Sequence, residues 1–265
     1  AFKQYQFFSR LHFMKRVLFV LTLFALLPAS LQAELSLPHF FSDHMVLQRE
    51  GAAAIWGKAG ANADVAISFK GESVTVNVYV DGTATTEIKT GAADAKGAAL
   101  KVSSADDSVS IEDVLVGEVW FASGQSNMVF PMSRVDAYKE LMAESDYPQL
   151  RMFNAPMVTA VDDQDDIEGS WTLCSPETVP TYSAVAFFFA RKLHVDLGVP
   201  VGVIKSAWGG KPVETFTSRK ALNTLPGTKA MVDATVAADA TYDDAKAQSI
   251  YETKLTQWQE AVAER

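Results

Sequence analysis

Cysteine is all but missing from this chain: Cys174 is the single thiol among 265 residues. No intramolecular disulfide can form, a lone thiol cannot build a structural zinc site, and cysteine usage is silent on the redox compartment. Cys174 is expected to act as a small buried hydrophobe. Histidine is scarce too, with four copies, which narrows the choice of general bases. Positive charge is in deficit. Of 23 basic residues, Lys3, Arg10, Lys15 and Arg16 precede Glu34, where no acidic residue occurs. Residues 34–265 therefore carry 19 basic against 32 acidic side chains, a formal charge of −13. Such a field repels nucleic acid and anionic lipid, so neither is an expected partner. An anionic sugar would need a local basic contact. After residue 27 no apolar run long enough to span a bilayer follows.

Two familiar ligand loops are also missing. Gly209-Gly210-Lys211 is not a phosphate loop, because Lys205 stands where the first glycine belongs and Pro212 replaces the Ser/Thr. Asp162-Asp163-Gln164-Asp165-Asp166 lacks the alternation of a calcium loop and its Gly169 is misplaced, so a solvated acidic loop is expected.

What is present begins with Met14-Lys15-Arg16, a basic start, followed by Val17 to Leu27, apolar throughout except Thr22. Pro28, Ala29 and Ser30 break the run, and Ala33 suits the position before cleavage. This is the layout of a secretory signal peptide over residues 14–33, with 1–13 as upstream sequence. It predicts a secreted or periplasmic protein, with a bacterial envelope the natural setting. An uncleaved membrane anchor is the rival reading.

From Glu34 the texture is β. Val65, Ile67 and Phe69 alternate with small or polar residues, Lys70-Gly71-Glu72 reads as a turn, and Val74, Val76, Val78 and Val80 alternate again. Asp81-Gly82 is a hairpin signal. Leu100, Val102, Val109 and Ile111 suggest further strands. The spacing predicts a small antiparallel β-sandwich over 34–113. Near Val114 the pattern changes. Val114–Ala122 reads as a buried strand, and Ser133 as the cap of a helix reaching Glu144. Leu150–Phe153 is a strand. Ser183 caps a second helix that Gly198 ends, and Val199–Ala207 is an apolar strand. Alternating strands and helices imply a parallel sheet with covering helices over 114–265. Residues 228–265 read as helical, with Tyr251, Leu255, Trp258 and Val262 on one face. That helix runs to the last residue, so the α/β domain is expected to be C-terminally incomplete. Tyr138, Phe187, Phe188, Phe189 and Trp258 fit helix faces and are expected in the core.

Chemistry concentrates in two segments. Gly124-Gln125-Ser126-Asn127-Met128 follows a buried strand, where open α/β sheets place ligands. Gly124 permits a tight turn and leaves Ser126 at the strand's carboxyl end. A serine nucleophile needs that exposure and a nearby N–H for the oxyanion. Met128 replaces the second glycine of the common G-x-S-x-G elbow; an ordinary polar turn with a capping serine is the alternative. Ser206-Ala207-Trp208-Gly209-Gly210-Lys211-Pro212 also follows a buried strand, and its glycines can bring backbone donors close to a ligand.

Together with Leu37–Arg49, Gly117-Glu118-Val119-Trp120, Ser183-Ala184-Val185-Ala186, Gly198–Gly202 and Trp208 through Glu214, these segments occur in an order that resembles the sialate O-acetylesterase family of SGNH-type hydrolases. The resemblance covers about residues 34–222. It implies an SGNH-like three-layer α/β/α domain beside a β-sandwich. It implies Ser126 as nucleophile toward an acetyl ester, with backbone N–H groups at Ser126 and at Gly209 or Gly210 as the oxyanion hole. Gln125, Asn127 and Trp208 would shape the pocket. Water would hydrolyse the acetyl-enzyme without metal or organic cofactor.

One departure stands out. The family's D-x-x-H block, which supplies histidine and aspartate, does not occur within these residues. His12 precedes the signal peptide, His39 and His44 lie in the first β segment, and His194 closes a helix; none suits the general base. The expected substrate is an O-acetylated sialic acid. An acetylated xylan or other plant glycan is the alternative, and a non-catalytic glycan-binding or envelope protein on the same fold is a third reading. The 265 residues alone are expected to be nearly inert, since triad members act as a unit.

Overall fold

The computed structural model describes residues 34–141 and 145–263. The expected upstream segment and signal peptide, and the side chain of Tyr138, lie outside the described residues. Among those described, no helix is long and apolar enough to cross a membrane.

Period-two sequence becomes β-sandwich as expected. Strands β3 (Asp64–Phe69) and β4 (Glu72–Asn77) pair antiparallel around Lys70 and Gly71, both with positive φ. Such a pair matches the right-handed twist of the strands it joins. β3 continues antiparallel to β6 (Asp94–Ser103), and β6 to β7 (Ser108–Gly124). A second, two-stranded sheet of β2 (Ala52–Lys58) and β5 (Thr83–Lys89) covers this face. Ile55 and Ile88 from the small sheet share one buried cluster with Val65, Ile67, Phe69, Leu100, Val102 and Ile111. Asp81-Gly82 does form a turn, closed by the Gly82 N–H on the Tyr79 carbonyl. The strands it joins, however, lie in different sheets, because β5 pairs with β2 and not with β4. The turn is an arch between layers, not a hairpin.

The position 113/114, expected to divide two domains, falls inside β7. This 17-residue strand serves both parts. Its first half pairs with β6 and, parallel, with the short β1 (Val46–Gln48). Its second half pairs parallel with β10 (Val201–Ala207), which in turn runs parallel to β8 (Tyr147–Asn154). β9 (Trp171–Cys174) closes the edge antiparallel to β8. The result is a mixed sheet with a parallel centre and helices around it.

Helices α1 (Ser126–Val129) and α2 (Tyr138–Leu141) are short. The expected helix from Ser133 does not form continuously. Met132–Arg134 is one 3-10 turn, and Val135 is extended. Met132, fully buried and held by its N–H on the Tyr182 carbonyl, fixes this segment against the core instead. α3 (Ala184–Leu197) is as expected at both ends: the Ser183 hydroxyl accepts from the Ala186 N–H, and left-handed Gly198 donates to the His194 carbonyl. It buries Ala186, Phe187 and Ala190 beside Leu150, Met152, Val201 and Val203. Consecutive helical residues point about 100° apart, so three adjacent phenylalanines cannot share one face. Phe188 and Phe189 are exposed accordingly.

Phe121, Ser123 and Ser206 have the opposite parity. They face a cavity of about 550 Å³ whose far wall includes Arg219 and Leu222 of α4 (Arg219–Leu222) and Val232 of α5 (Lys229–Ala240). α6 (Asp244–Ala263) has no buried residue. The stripe of Tyr251, Leu255, Trp258 and Val262 exists but is exposed, so Trp258 is not a core residue among those described.

Candidate functional site

The parallel pairing of β7 and β10 sets the site. Their register ends at Gly124 opposite Ala207, so the chain leaves both strands side by side. The Trp208 N–H donates to the Gly124 carbonyl at 3.0 Å and extends the pairing by one step. Gly124 then takes φ +147, a conformation that side-chain-bearing residues rarely adopt. That turn starts α1 at Ser126 and leaves this residue exposed at the carboxyl end of the sheet.

Ser126 and Gly209, singled out separately in the sequence, lie side by side. A Cβ on Gly209 would lie 3.2 Å from Ser126 Oγ, so only glycine leaves the hydroxyl unobstructed here. The Gln125 side-chain amide donates to the Lys211 carbonyl and ties the two loops together. Gln125 is thus engaged with protein rather than open to a ligand. Lys211 Nζ sits 4.5 Å above the half-buried Trp208 ring. Asn127 and Gly210 are exposed. Among the described residues, the N–H groups of Ser126, Gly209 and Gly210 have no protein acceptor, nor is the Ser126 hydroxyl hydrogen-bonded. Free N–H groups around an exposed hydroxyl can receive an oxyanion.

The histidines are occupied elsewhere. His39 Nδ1 pairs with Asp166 at 2.7 Å, and this hydrogen bond, with the carboxylate charge, raises its pKa. His44 Nδ1 pairs with Asp113 at 2.8 Å. Asp113 also receives the buried Arg151 guanidinium, whose other donors reach the His44 and Pro148 carbonyls. His194 Nδ1 meets the Val199 carbonyl at 2.7 Å. His12 lies outside the described residues. Cys174 is buried, and desolvation pushes its thiol up to about 12; it is not a nucleophile at neutral pH.

The acidic run is an exposed loop, as expected, and three of its carboxylates also carry surface ion pairs. Asp162 pairs with Arg219, Asp165 with Lys58 at 3.0 Å, and Asp166 with His39. Opposite charges distant in sequence pin the segment. Among the described residues no group of three or more His, Cys, Asp or Glu side chains could hold a metal ion. No sequence signal marks the Gln125–Lys211 link, because it depends on the register of β7 with β10.

Fold and site together define a class: a mixed α/β sheet of hydrolase type, with an exposed serine and a diglycine loop on adjacent strand ends. No protein-family model matches the chain. Its homologues are sialate O-acetylesterases. The rat protein is 32% identical over 216 residues, covering 72% of this chain and 39% of that protein. The mouse protein is 30% identical over the same length and shares. The human protein is 29% identical over 207 residues, or 69% of this chain. The chain spans 39% of the length of these curated relatives. A crystal structure of a carbohydrate acetylesterase from Xanthomonas citri superposes with a TM-score of 0.68 at 33% identity, covering 71% of this chain and 43% of that one.

Proposed function

We propose that the protein is a carbohydrate esterase that removes O-acetyl groups from sialic acids, with Ser126 as nucleophile. The juxtaposition of Ser126 and Gly209 on neighbouring strand ends is the observation that carries this reading. Homology to sialate O-acetylesterases and to a carbohydrate acetylesterase supports the substrate class.

In this mechanism Ser126 Oγ attacks the acetyl carbonyl carbon while a general base takes its proton. The N–H groups of Ser126 and of Gly209 or Gly210 hold the oxyanion. Collapse expels the sugar hydroxyl, protonated by the same group, and leaves acetyl-Ser126. Water, deprotonated by that base, then releases acetate and restores the serine. Gln125 keeps the two loops in register. Because none of His39, His44 and His194 is hydrogen-bonded to Ser126 among the described residues, the base is to be sought in the remainder of the full-length protein. The amino-terminal layout favours export, which a mature amino terminus near Glu34 in protein from the cell envelope would establish.

The unpartnered Ser126 hydroxyl also favours one second reading, a non-catalytic glycan-binding protein. Coding sequence beyond Arg265 that holds an Asp and a His three positions apart supports the esterase; an immediate stop codon supports the binder. The functional test is acetate release by the full-length protein from O-acetylated sialic acid and, in parallel, from acetylated xylan. Ser126→Ala is expected to lower turnover by about three orders of magnitude or more. Unchanged turnover in that variant would remove Ser126 from the mechanism, and preference for xylan would reassign the substrate.

A further inference from the structure

The β-sandwich carries a second concave site that shares no lining residue with the Ser126 loops. The outward face of the two-stranded sheet presents Trp56 opposite Thr85 and Lys58 opposite Thr83. The 163–168 segment lies across this face: the Asp165 carbonyl accepts from the Trp56 indole N–H, and the Asp165 carboxylate pairs with Lys58. Residues 36–39 form the third wall, and the open cleft measures about 520 Å³. That volume falls within the range of small-ligand sites.

The lining has a particular chemistry. Trp56 stacks on Phe40 at 6.0 Å, which fixes its ring, yet it remains over a third exposed. Around it stand polar groups with unused capacity among the described residues. Asp165 Oδ1 accepts nothing and the Ser36 and Thr85 hydroxyls have no partner, while the Lys58 ammonium pairs with Asp165 and lies in the field of Asp81. Thr83 Oγ1 donates to Asp81 at 2.7 Å and keeps its lone pairs. A flat aromatic surface ringed by carboxylate, ammonium and hydroxyl groups matches the alternating C–H faces and hydroxyl edges of a sugar ring. Asp165 and Asp166 line the cleft and Glu168 lies 3.8 Å from its His39, so carboxylates outnumber the Lys58 ammonium and disfavour an anionic ligand.

We propose that this cleft, floored by Trp56 and Thr85 and walled by Asp165, binds a neutral saccharide and holds a glycan chain on the sandwich independently of the esterase chemistry. The test uses the full-length protein with xylotetraose, cellotetraose and N-acetylneuraminic acid as probes, read by saturation-transfer NMR and titration calorimetry. At least one neutral tetrasaccharide is expected to bind, and N-acetylneuraminic acid about ten-fold more weakly or not at all. Trp56→Ala is expected to lower affinity about ten-fold or more. Because Trp56 also packs on Phe40 and Phe41, Thr85→Arg is the second variant. It fills the cleft from an exposed position and should cause the same loss while leaving hydrolysis of a small soluble acetate ester unchanged. Ser126→Ala should bind the tetrasaccharide as the native protein does, which separates this site from the esterase reading. Absence of binding by both neutral probes, tighter binding of N-acetylneuraminic acid, or undiminished binding in folded Thr85→Arg would each overturn the proposal.

Discussion

The two halves of β7 experience different surroundings. Val114, Leu115 and Val116, where β6 and β1 flank the strand, are at most 1% exposed, whereas Trp120 and Phe121 further along are 43% and 66% exposed. The first half lies in a core closed by its own small sheet. The second half has α3 on one face and an open cavity on the other, and leads to the exposed Ser126. One strand therefore ends in a closed core on one side and in the exposed turn of the proposed site on the other. Local stability in proteins is commonly uneven in this way, with functional segments drawn from the less buried end.

The largest expected effect is in the closed half. Leu100→Ala removes a fully buried side chain of the sandwich cluster and should cost about 2–5 kcal/mol. Denaturant unfolding measures this; the activity of the molecules still folded should not change. If activity falls as far as stability, the division along β7 is wrong. The converse variant is Gly209→Ala, whose Cβ would press on Ser126 Oγ. Acetate release by the full-length protein should drop about a hundred-fold, since displacements of this scale cost about that much, with stability changed by less than about 1 kcal/mol.

A smaller effect concerns the pinned acidic segment. His39 has a raised pKa because it is hydrogen-bonded to Asp166. Its contribution is fully present below its unfolded value of 6.5 and fades as pH rises through the higher folded value. The Tm difference between native protein and His39→Gln should thus be positive in mildly acidic buffer and shrink in mildly alkaline buffer; a gap that widens with pH would contradict the pairing. The smallest effect is expected at α6, where Trp258 is exposed. Trp258→Ala should change the stability of the 265-residue chain by no more than about 0.5 kcal/mol.

The parts legible in the sequence were those governed by near neighbours. Alternation at Val65, Ile67 and Phe69 gave β3, and Ser183 and Gly198 marked both ends of α3. The Gly124–Met128 and Trp208–Gly210 segments could be chosen because each follows an apolar strand. Less legible was anything decided by partners distant in the chain. Asp81-Gly82 specifies a turn, but whether its arms pair with each other depends on β2, some 25 residues earlier in sequence. Asp162, Asp165 and Asp166 are exposed as read, but their ion-pair partners Arg219, Lys58 and His39 were not legible because they are remote in sequence. β9 has four residues and no alternation, too little pattern to register. Ser133 is a good cap, yet buried Met132 beside it overrides local preference.

The continuity of β7 also bears on any attempt to take the molecule apart. Its 17 residues run from the sandwich to the serine turn, bulged at Asp113, which has a left-handed φ of 55. A cut at 113/114 would not release a detachable module. It would leave a ragged edge on each product and strip β1 and β6 from the strand that positions Ser126. Grafting, truncation and evolutionary exchange should therefore treat the sandwich and the serine-bearing sheet as one inherited piece.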